Sequence, residues 1–448
     1  MRAESRRRYM AALSGLAVVA ATAVTGMTTA VAAGGVMTPA IGAHPQYKVA
    51  GQVSANPSDT TFSCQLTTPA QCYGPNQMRA AYGVDKLGKL GLNGAGRTIV
   101  IVDAFQSPTI TSDLATFDTV FGLSAPKLNI IAPDGLTPFD QADANQVGWA
   151  GEITLDVEYS HAIAPAATID LVLSKSNSDA DIFSAQKFVV DHNLGDTLSQ
   201  SFGEAEQCMD PAINAATHQL YKKAAAEHMT VFASAGDQGA AQPTCDGTSF
   251  MKAVSTPASD PLVTGVGGTI LDANGVTGAY NNEVVWNEPA FAAAGGGGFS
   301  TLFQKPEFQR GTVHSAMRGV PDIAYNAAII GGVLAVWSTS GQGANLVFQF
   351  GGTSAGSPQW AGLAVLADQL GHHRIGDINN VLYAVGRSPF AGHVFHDITV
   401  GDNTFHGPVT VTGFSATKGW DAASGLGSPR ADVLVPVLAA TSFGGGDE

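Results

Sequence analysis

The chain reads as an α/β protein with a mostly parallel central sheet and helices on both faces. Three observations predict this class. Strand-like and helix-like segments alternate through the middle of the 448-residue chain, as they do in βαβ units. Residues 98–102, "TIVIV", are apolar without alternation, which suits a strand covered on both faces. Only 13% of residues are charged while 53 are glycine, the composition of a rigid, loop-rich body rather than a helical bundle or a disordered chain.

The elements follow in order. Residues 1–33 read as an export signal: basic "MRAESRRR", apolar "YMAALSGLAVVAATAV" and a small-residue cleavage site "AVA" at 30–32. "SRRRYM" at 5–10 also fits a twin-arginine signal, so export by the Sec or the twin-arginine route stays open. The apolar run is short for a membrane span, and no later stretch has eighteen uninterrupted apolar residues. The mature protein is therefore expected to be secreted, with no membrane association after signal removal. Residues 34–75, rich in Ala, Pro, Thr and Gln, read as a loose leader or propeptide-like segment.

From residue 76 the pattern becomes regular. A short helix near 77–82 precedes the strand at 98–102. Strands are expected at 168–173, 197–202 and 230–237, with helices at 181–192 and 212–228 between them. "PLVTGVGGT" adds another strand, and residues 280–350 are less regular, with a glycine run at 295–298 that marks a flexible or closely packed loop. No repeat array and no Pro- or Ser-rich linker divides the body, so residues 76–440 read as one domain and 441–448 as a flexible tail. The net charge of −15 argues against a nucleic-acid partner, which needs a basic face to neutralise phosphates. Four cysteines in an exported chain point to two disulfides. Closeness in sequence favours Cys64 with Cys72 and Cys208 with Cys245 among three connectivities, and the lack of any C-x-x-C pair argues against metal binding by them.

Chemistry concentrates in a few stretches. In "GGTSAGSPQWAG", small residues lead Ser354 to the start of an apolar helix, where Pro358 fits the first turn and the helix N-terminus favours negative charge. Taken alone, the stretch also fits an ordinary N-cap serine. In "GEITLDVEYSHAIAPAA", a helix ending before Pro165 places Glu152 and Asp156 one turn apart on one face. On a wet surface such a pair repels weakly, whereas in a buried site burial and repulsion raise one pKa so that the pair shares a proton. In "SAGDQG", Asp237 follows a strand and could simply close a turn.

Together these stretches resemble the sedolisins, or serine-carboxyl peptidases, within the subtilisin-like clan. "GTSAGSP" is similar to the clan's G-T-S-x-x-x-P nucleophile motif, and 151–167 to the sedolisin signature E-x-x-L-D-x-E-x-x-x-A-x-A-P-x-A. "SQSFGEAE", "STPASDPLVTGVGGT", "GGGGFS", "GVPDIAYNA" and "DINNVLY" follow in the family's order, so the likeness runs from about residue 75 to residue 429. The resemblance implies a subtilisin-like fold and a secreted, acid-acting endopeptidase. In it Ser354 is the nucleophile, Glu152 its base, Asp156 the partner that orients Glu152, and protonated Asp237 an oxyanion donor. It implies peptide or protein substrates held along Ser201, Phe202 and Gly203 and along Ser234, Ala235 and Gly236. A carboxylate suits acid: a histidine of pKa about 6.5 is almost wholly protonated near pH 4, whereas a glutamate of about 4.3 is still substantially ionised.

"FHDITVGDN" and "SATKGWDAASGLGSP" resemble the family's calcium motif, implying one structural Ca2+. Its ligands would be the side chains of Asp397 and Asp421 and the carbonyls of Ile398, Thr417 and Gly419, all hard oxygen donors. The family usually has glycine where this chain has Thr417. Sedolisins also carry a large prodomain, whereas only about forty residues separate the signal from the regular body here. The leader could substitute for it, the enzyme could fold unaided, or acid alone could control activity. Two other readings stay open: a neutral subtilisin-type hydrolase using Asp103 with a histidine such as His161, and an inactive binding protein on the same fold. A monomer is expected.

Overall fold

The computed structural model describes residues 41–43, 45–53, 61–343 and 346–441. The export signal and the tail beyond residue 441 lie outside the described residues.

The leader contributes the first strand, β1 (Gln46–Gln52). The regular body then runs β2 (Thr98–Ala104), α1 (Ile110–Phe121), β3 (Lys127–Ile131), α2 (Ala144–Ile163), β4 (Thr168–Ser174), α3 (Asp179–Asp191), β5 (Thr197–Gln200), α4 (Pro211–Ala226) and β6 (Thr230–Ser234). It continues with β7 (Thr264–Ala273), β8 (Tyr280–Val285), β9 (Ile323–Asn326), β10 (Gly332–Val336), β11 (Leu346–Gly351), α5 (Ser357–Gly371) and α6 (Ala431–Ala439). The central sheet is ordered β3-β4-β2-β5-β6-β7, with β9 parallel and β8 antiparallel on the far half of β7. Seven of its eight strands are parallel.

The unbroken apolar run in β2 has the predicted cause. Ile99 and Ile101 face a core shared with α1, α2 and α5, while Val100 and Val102 face a second core built on α3 and α4. Successive side chains of a strand point to opposite faces, so a strand sandwiched by helices has no polar side. Fully burying each aliphatic side chain is worth about 1.5–3 kcal/mol. Truncating one, as in Ile101→Ala, should therefore cost about 2–5 kcal/mol.

Helix α2 starts where Asp143 accepts a hydrogen bond from the Asn145 amide and ends at Ile163, just before Pro165. It runs through the interior, yet carries Glu152, Asp156, Glu158 and His161 at 0% exposure. Both disulfides join the sequence neighbours, Cys64 to Cys72 and Cys208 to Cys245.

The leader is more ordered than its composition predicts. Strand β1 lies antiparallel on β11, with Gln46 opposite Gly351 and Gln52 opposite Leu346. Tyr47 packs edge-on to Trp337 at 4.8 Å between ring centroids. Seven residues of mixed polarity give little local signal, and the partner that orders them lies about three hundred residues away in sequence. Among the described residues, no helix is long and apolar enough to cross a membrane.

Candidate active site

Three neighbouring parallel strands, β2, β5 and β6, end on one edge of the sheet. The carboxyl edge of such a sheet is where loops converge into a crevice. There β2 delivers Asp103, β5 runs into residues 201–203, and β6 runs into residues 234–237. Helices α2 and α5 bring the remaining groups over this edge.

Ser354 sits in a single 3-10 turn, Thr353–Ala355, between β11 and α5. Helix α5 begins three residues later, and no side chain caps it. Ser354 is therefore not the N-cap. Its hydroxyl instead donates to the Ser201 carbonyl at 3.4 Å, and Ser201 Oγ donates back to the Ser354 carbonyl at 3.4 Å. The turn depends on Gly352, whose φ of 128° is open to glycine and strained for other residues. A Cβ there would also lie 2.7 Å from Asp237 Oδ2.

Glu152 and Asp156 lie one turn apart on α2, both without solvent exposure. Burial away from water pushes Glu152 well above the ordinary carboxylate range, and the charges of Asp156, Asp103 and Asp237 push in the same direction. The nearby Ser354 hydroxyl works against them by stabilising the ionised form. Asp156 is also raised by burial, opposed by hydrogen bonding from Ser201 and Glu152. No hydrogen bond to these carboxylate oxygens is short and straight. Three buried acids this close cannot all ionise, so the cluster retains protons that an isolated carboxylate would lose.

Asp103 is the third of them. It is fully buried, both its oxygens lack a hydrogen-bond partner, and burial followed by the Asp156 charge raises its pKa. Sequence reasoning weighed it only as the partner of a histidine. The available signal was its position at the end of an apolar parallel strand. His161 is elsewhere engaged: its Nε2 pairs with Asp118 Oδ1 at 2.9 Å, within the packing of α1 on α2.

Asp237 faces the Ser354 turn. Its Oδ1 accepts from both the Thr353 amide and the Thr353 hydroxyl, each at 2.8 Å, while Oδ2 lies beside Gly352. Burial raises its pKa against those two hydrogen bonds. Thr353, which the sequence marks only as a small residue leading into the serine turn, is thus the group that aims Asp237.

The two candidate substrate strands differ. Gly203 forms an antiparallel bridge with Gly42 of the leader, with N–H to carbonyl bonds of 3.2 Å in each direction. The other segment is engaged by the body, for the Ala235 amide donates to Val266 and the Gly236 carbonyl accepts from Gly296 at 2.7 Å. The glycine run at 295–298 is close-packed, since a side chain on Gly296 would collide with the Ala235 carbonyl.

Away from this edge, the two acids of the second motif converge on one loop. Asp397 accepts from the Gly419 amide at 3.0 Å, and Asp421 Oδ2 from the Thr417 amide at 2.8 Å. Asp421 Oδ1 also takes the Ala423 and Ser424 amides, and burial raises its pKa. Among the described residues, no three His, Cys, Asp or Glu side chains converge as a metal site. A set of two carboxylates plus backbone carbonyls fits a hard cation and not a soft one.

The sheet, its carboxyl-edge crevice and the serine set against buried acids define a subtilisin-like α/β scaffold. The chain belongs to the sedolisin family. It is 34% identical over 358 residues to kumamolisin of Bacillus sp. (strain MN-32), covering 78% of this chain and 61% of that protein. It is 29% identical over 422 residues to sedolisin of Pseudomonas sp. (strain 101), covering 90% and 66% respectively. It thus spans less than two thirds of the length of these relatives. The solved structure of Pseudomonas sedolisin, a serine-carboxyl proteinase complexed with two molecules of pseudo-iodotyrostatin, superposes with a TM-score of 0.71 at 27% identity. That match covers 83% of this chain and 99% of the other. No family model matches the chain.

Proposed function

We propose that this protein is a serine-carboxyl peptidase that hydrolyses peptide bonds in acid through an acyl-enzyme on Ser354. The observation that carries the reading is the Ser354 hydroxyl beside a Glu152 carboxylate whose other charged neighbours are all acids. Glu152 takes the hydroxyl proton as Ser354 attacks the scissile carbonyl, and Asp156 holds and shares that proton. The oxyanion that forms is met by the Ser354 amide and by protonated Asp237. Glu152 then returns the proton to the leaving amine, and water repeats the sequence on the ester in reverse.

The pKa directions set the working range. Glu152 must ionise to act, and burial with its acidic neighbours delays that to a higher pH than for a free glutamate. Asp237 must stay protonated to donate, and burial holds its proton beyond the ordinary aspartate value. Both limbs of the pH–rate profile therefore lie above their unperturbed values. A histidine-based site would need an imidazole at Ser354, and His161 is committed to Asp118.

The calcium reading assigns Asp397 and Asp421 side chains and the carbonyls of Ile398, Thr417 and Gly419 to one structural ion, whose role is to brace the C-terminal loop. The signal at 1–33 and the two disulfides support export to an oxidising compartment. The deciding experiment is hydrolysis of a casein or peptide-library substrate across the acid range by the wild type, Ser354→Ala and Glu152→Ala. Loss of about 10²-fold or more in both variants, with retained circular dichroism, is expected. Near-normal turnover by Glu152→Ala would sink the assignment.

A further inference from the structure

Helix α4, the turn before it and the strand Gly298–Gln304 line a surface pocket of about 440 Å³ that shares no residue with the Ser354 site. Its wall is apolar, built by Met209, Pro211, Ala215, Leu302 and Phe303. Leu302 is 47% exposed, an uncovered aliphatic side chain beside a concave surface. A pocket of this size, with an apolar wall and a few convergent polar groups, is the ordinary form of a small-molecule site. The polar groups therefore decide what it takes.

Glu206 is the one acid among the lining residues, and its carboxylate is already engaged. Oε2 accepts from the Ser300 hydroxyl at 2.7 Å, and Oε1 accepts from the hydroxyl and the amide of Thr301. It ties the pocket to the strand and offers little to a cation. No lining residue is Lys or Arg, so a phosphate or sulfate would find no clamp. His218 is different. Its Nδ1 donates to Oδ2 of the buried Asp260 at 2.8 Å, and Asp260 Oδ1 takes the Leu262 amide at 2.9 Å. A carboxylate only accepts, so Nδ1 carries the proton and the ring is held in one orientation. The ring also packs on Phe303, with centroids 5.4 Å apart. With the His218 side chain 23% exposed, Nε2 is the nitrogen left for a ligand.

We propose that this pocket binds an aromatic monocarboxylate, with its ring against Phe303 and Met209 and one carboxyl oxygen on His218 Nε2. A ring gains from both neighbours, through edge or offset contact with Phe303 and through the polarisable sulfur of Met209. One proton lies between the carboxyl oxygen and Nε2 whichever group brings it, so the pair holds as acid with imidazole or as carboxylate with imidazolium. An amide of the same shape has neither form of the pair and should bind more weakly. Two sources carry this chemistry: a free arylalkanoic acid, and the C-terminal Phe, Tyr or Trp of a peptide. The proposal stands apart from the peptidase reading, since no residue lining the pocket belongs to the Ser354 site.

The experiment is isothermal titration of the full chain with 3-phenylpropionic acid at acid pH, in the Ser354→Ala background so that peptide probes persist. A single site with a Kd of about 1 mM or tighter is expected for a ligand of this size. Ala215 is exposed on α4, so Ala215→Trp fills the pocket from the surface and should weaken binding about tenfold or more. His218→Asn keeps a donor for Asp260 but removes Nε2, and should weaken the acid about tenfold. 3-Phenylpropionamide should bind the parent about tenfold more weakly than the acid, and His218→Asn should erase that difference, which a loss of packing alone would not do. Melting temperatures establish that both variants are folded. No binding up to about 10 mM, or unchanged affinity in folded Ala215→Trp, overturns the site. An acid-over-amide preference that survives His218→Asn overturns the role given to Nε2. Acetyl-Ala-Ala-Phe separates the two sources: binding as tight as the acid or tighter assigns the pocket to peptide ends, and weaker binding assigns it to the free acid.

Discussion

Replacing Asp237 by Asn and by Ala separates donation to the oxyanion from the support of the catalytic turn. Asp237 does two things: Oδ1 accepts two 2.8 Å hydrogen bonds from Thr353, and the other oxygen, when protonated, can donate. An asparagine keeps the acceptor on Thr353 and supplies an amide that donates at every pH. An alanine removes the donor and leaves the Thr353 amide without its acceptor, while the Thr353 hydroxyl keeps the Gly236 carbonyl at 3.2 Å. Loss of one oxyanion donor is worth about 10²–10³ in kcat, or about 2.7–4 kcal/mol. Leaving the Thr353 amide unpaired adds about 1–3 kcal/mol to the loss of stability. Asp237→Ala should therefore lose about 10²–10³-fold in kcat, whereas Asp237→Asn should stay within about tenfold of wild type at the optimum. The sign of the pH effect follows from the raised pKa of Asp237: donation is present below that pKa and fades as pH rises through it. Asn cannot lose a proton, so the upper limb of kcat/KM should move to higher pH in Asp237→Asn. Stopped-flow or fluorogenic assays of both variants across the pH range provide the test. An upper limb that does not move in Asp237→Asn, or an Asp237→Ala variant within about threefold of wild type, would refute the reasoning.

Other outcomes follow from the same groups. Asp103 raises the pKa of Glu152 through its charge, so Asp103→Asn should shift the lower limb of the pH–rate profile to more acid values. An unmoved limb would remove Asp103 from the cluster. Stability should fall as the medium is made neutral: burial pushes Asp377 up to about 6 and Asp368 to about 8, and these groups fold in their neutral form. Their contribution is complete below the ordinary aspartate pKa and is lost as pH rises through about 6 to about 8. Calorimetry should accordingly give a melting temperature that declines from about pH 4 to about pH 8. A flat or rising trend contradicts the argument. Adding a chelator to the calcium-equilibrated protein should lower the melting temperature, and Asp421→Asn should abolish that response. A chelator that changes nothing would point to a loop closed by its own amides.

Where local periodicity carries the information, residues alone were enough. The apolar run of β2, the i to i+4 spacing of Glu152 and Asp156, and Pro165 as a stop for α2 are all visible without coordinates, because helix and strand repeats are properties of short windows. Small residues bracket Asp237 and Ser354 and mark tight turns, whereas the roles expected of the two came only from the resemblance to the sedolisins. Asp103 was visible as a strand end but not as a member of the acid cluster. Its neighbour Asp156 is brought to it by the packing of α2 against β2, which no short window contains.

The amino-acid order thus settled the class of fold, the helix that carries two acids and the turn that carries the serine, since these depend on backbone preferences acting within a few residues. Tertiary packing alone decided that the acids are three, that Thr353 aims Asp237, and that Gly42 rather than open solvent meets Gly203. Those outcomes depend on distances between segments up to about 160 residues apart, and burial and hydrogen-bond satisfaction choose among pairings that local composition leaves equal.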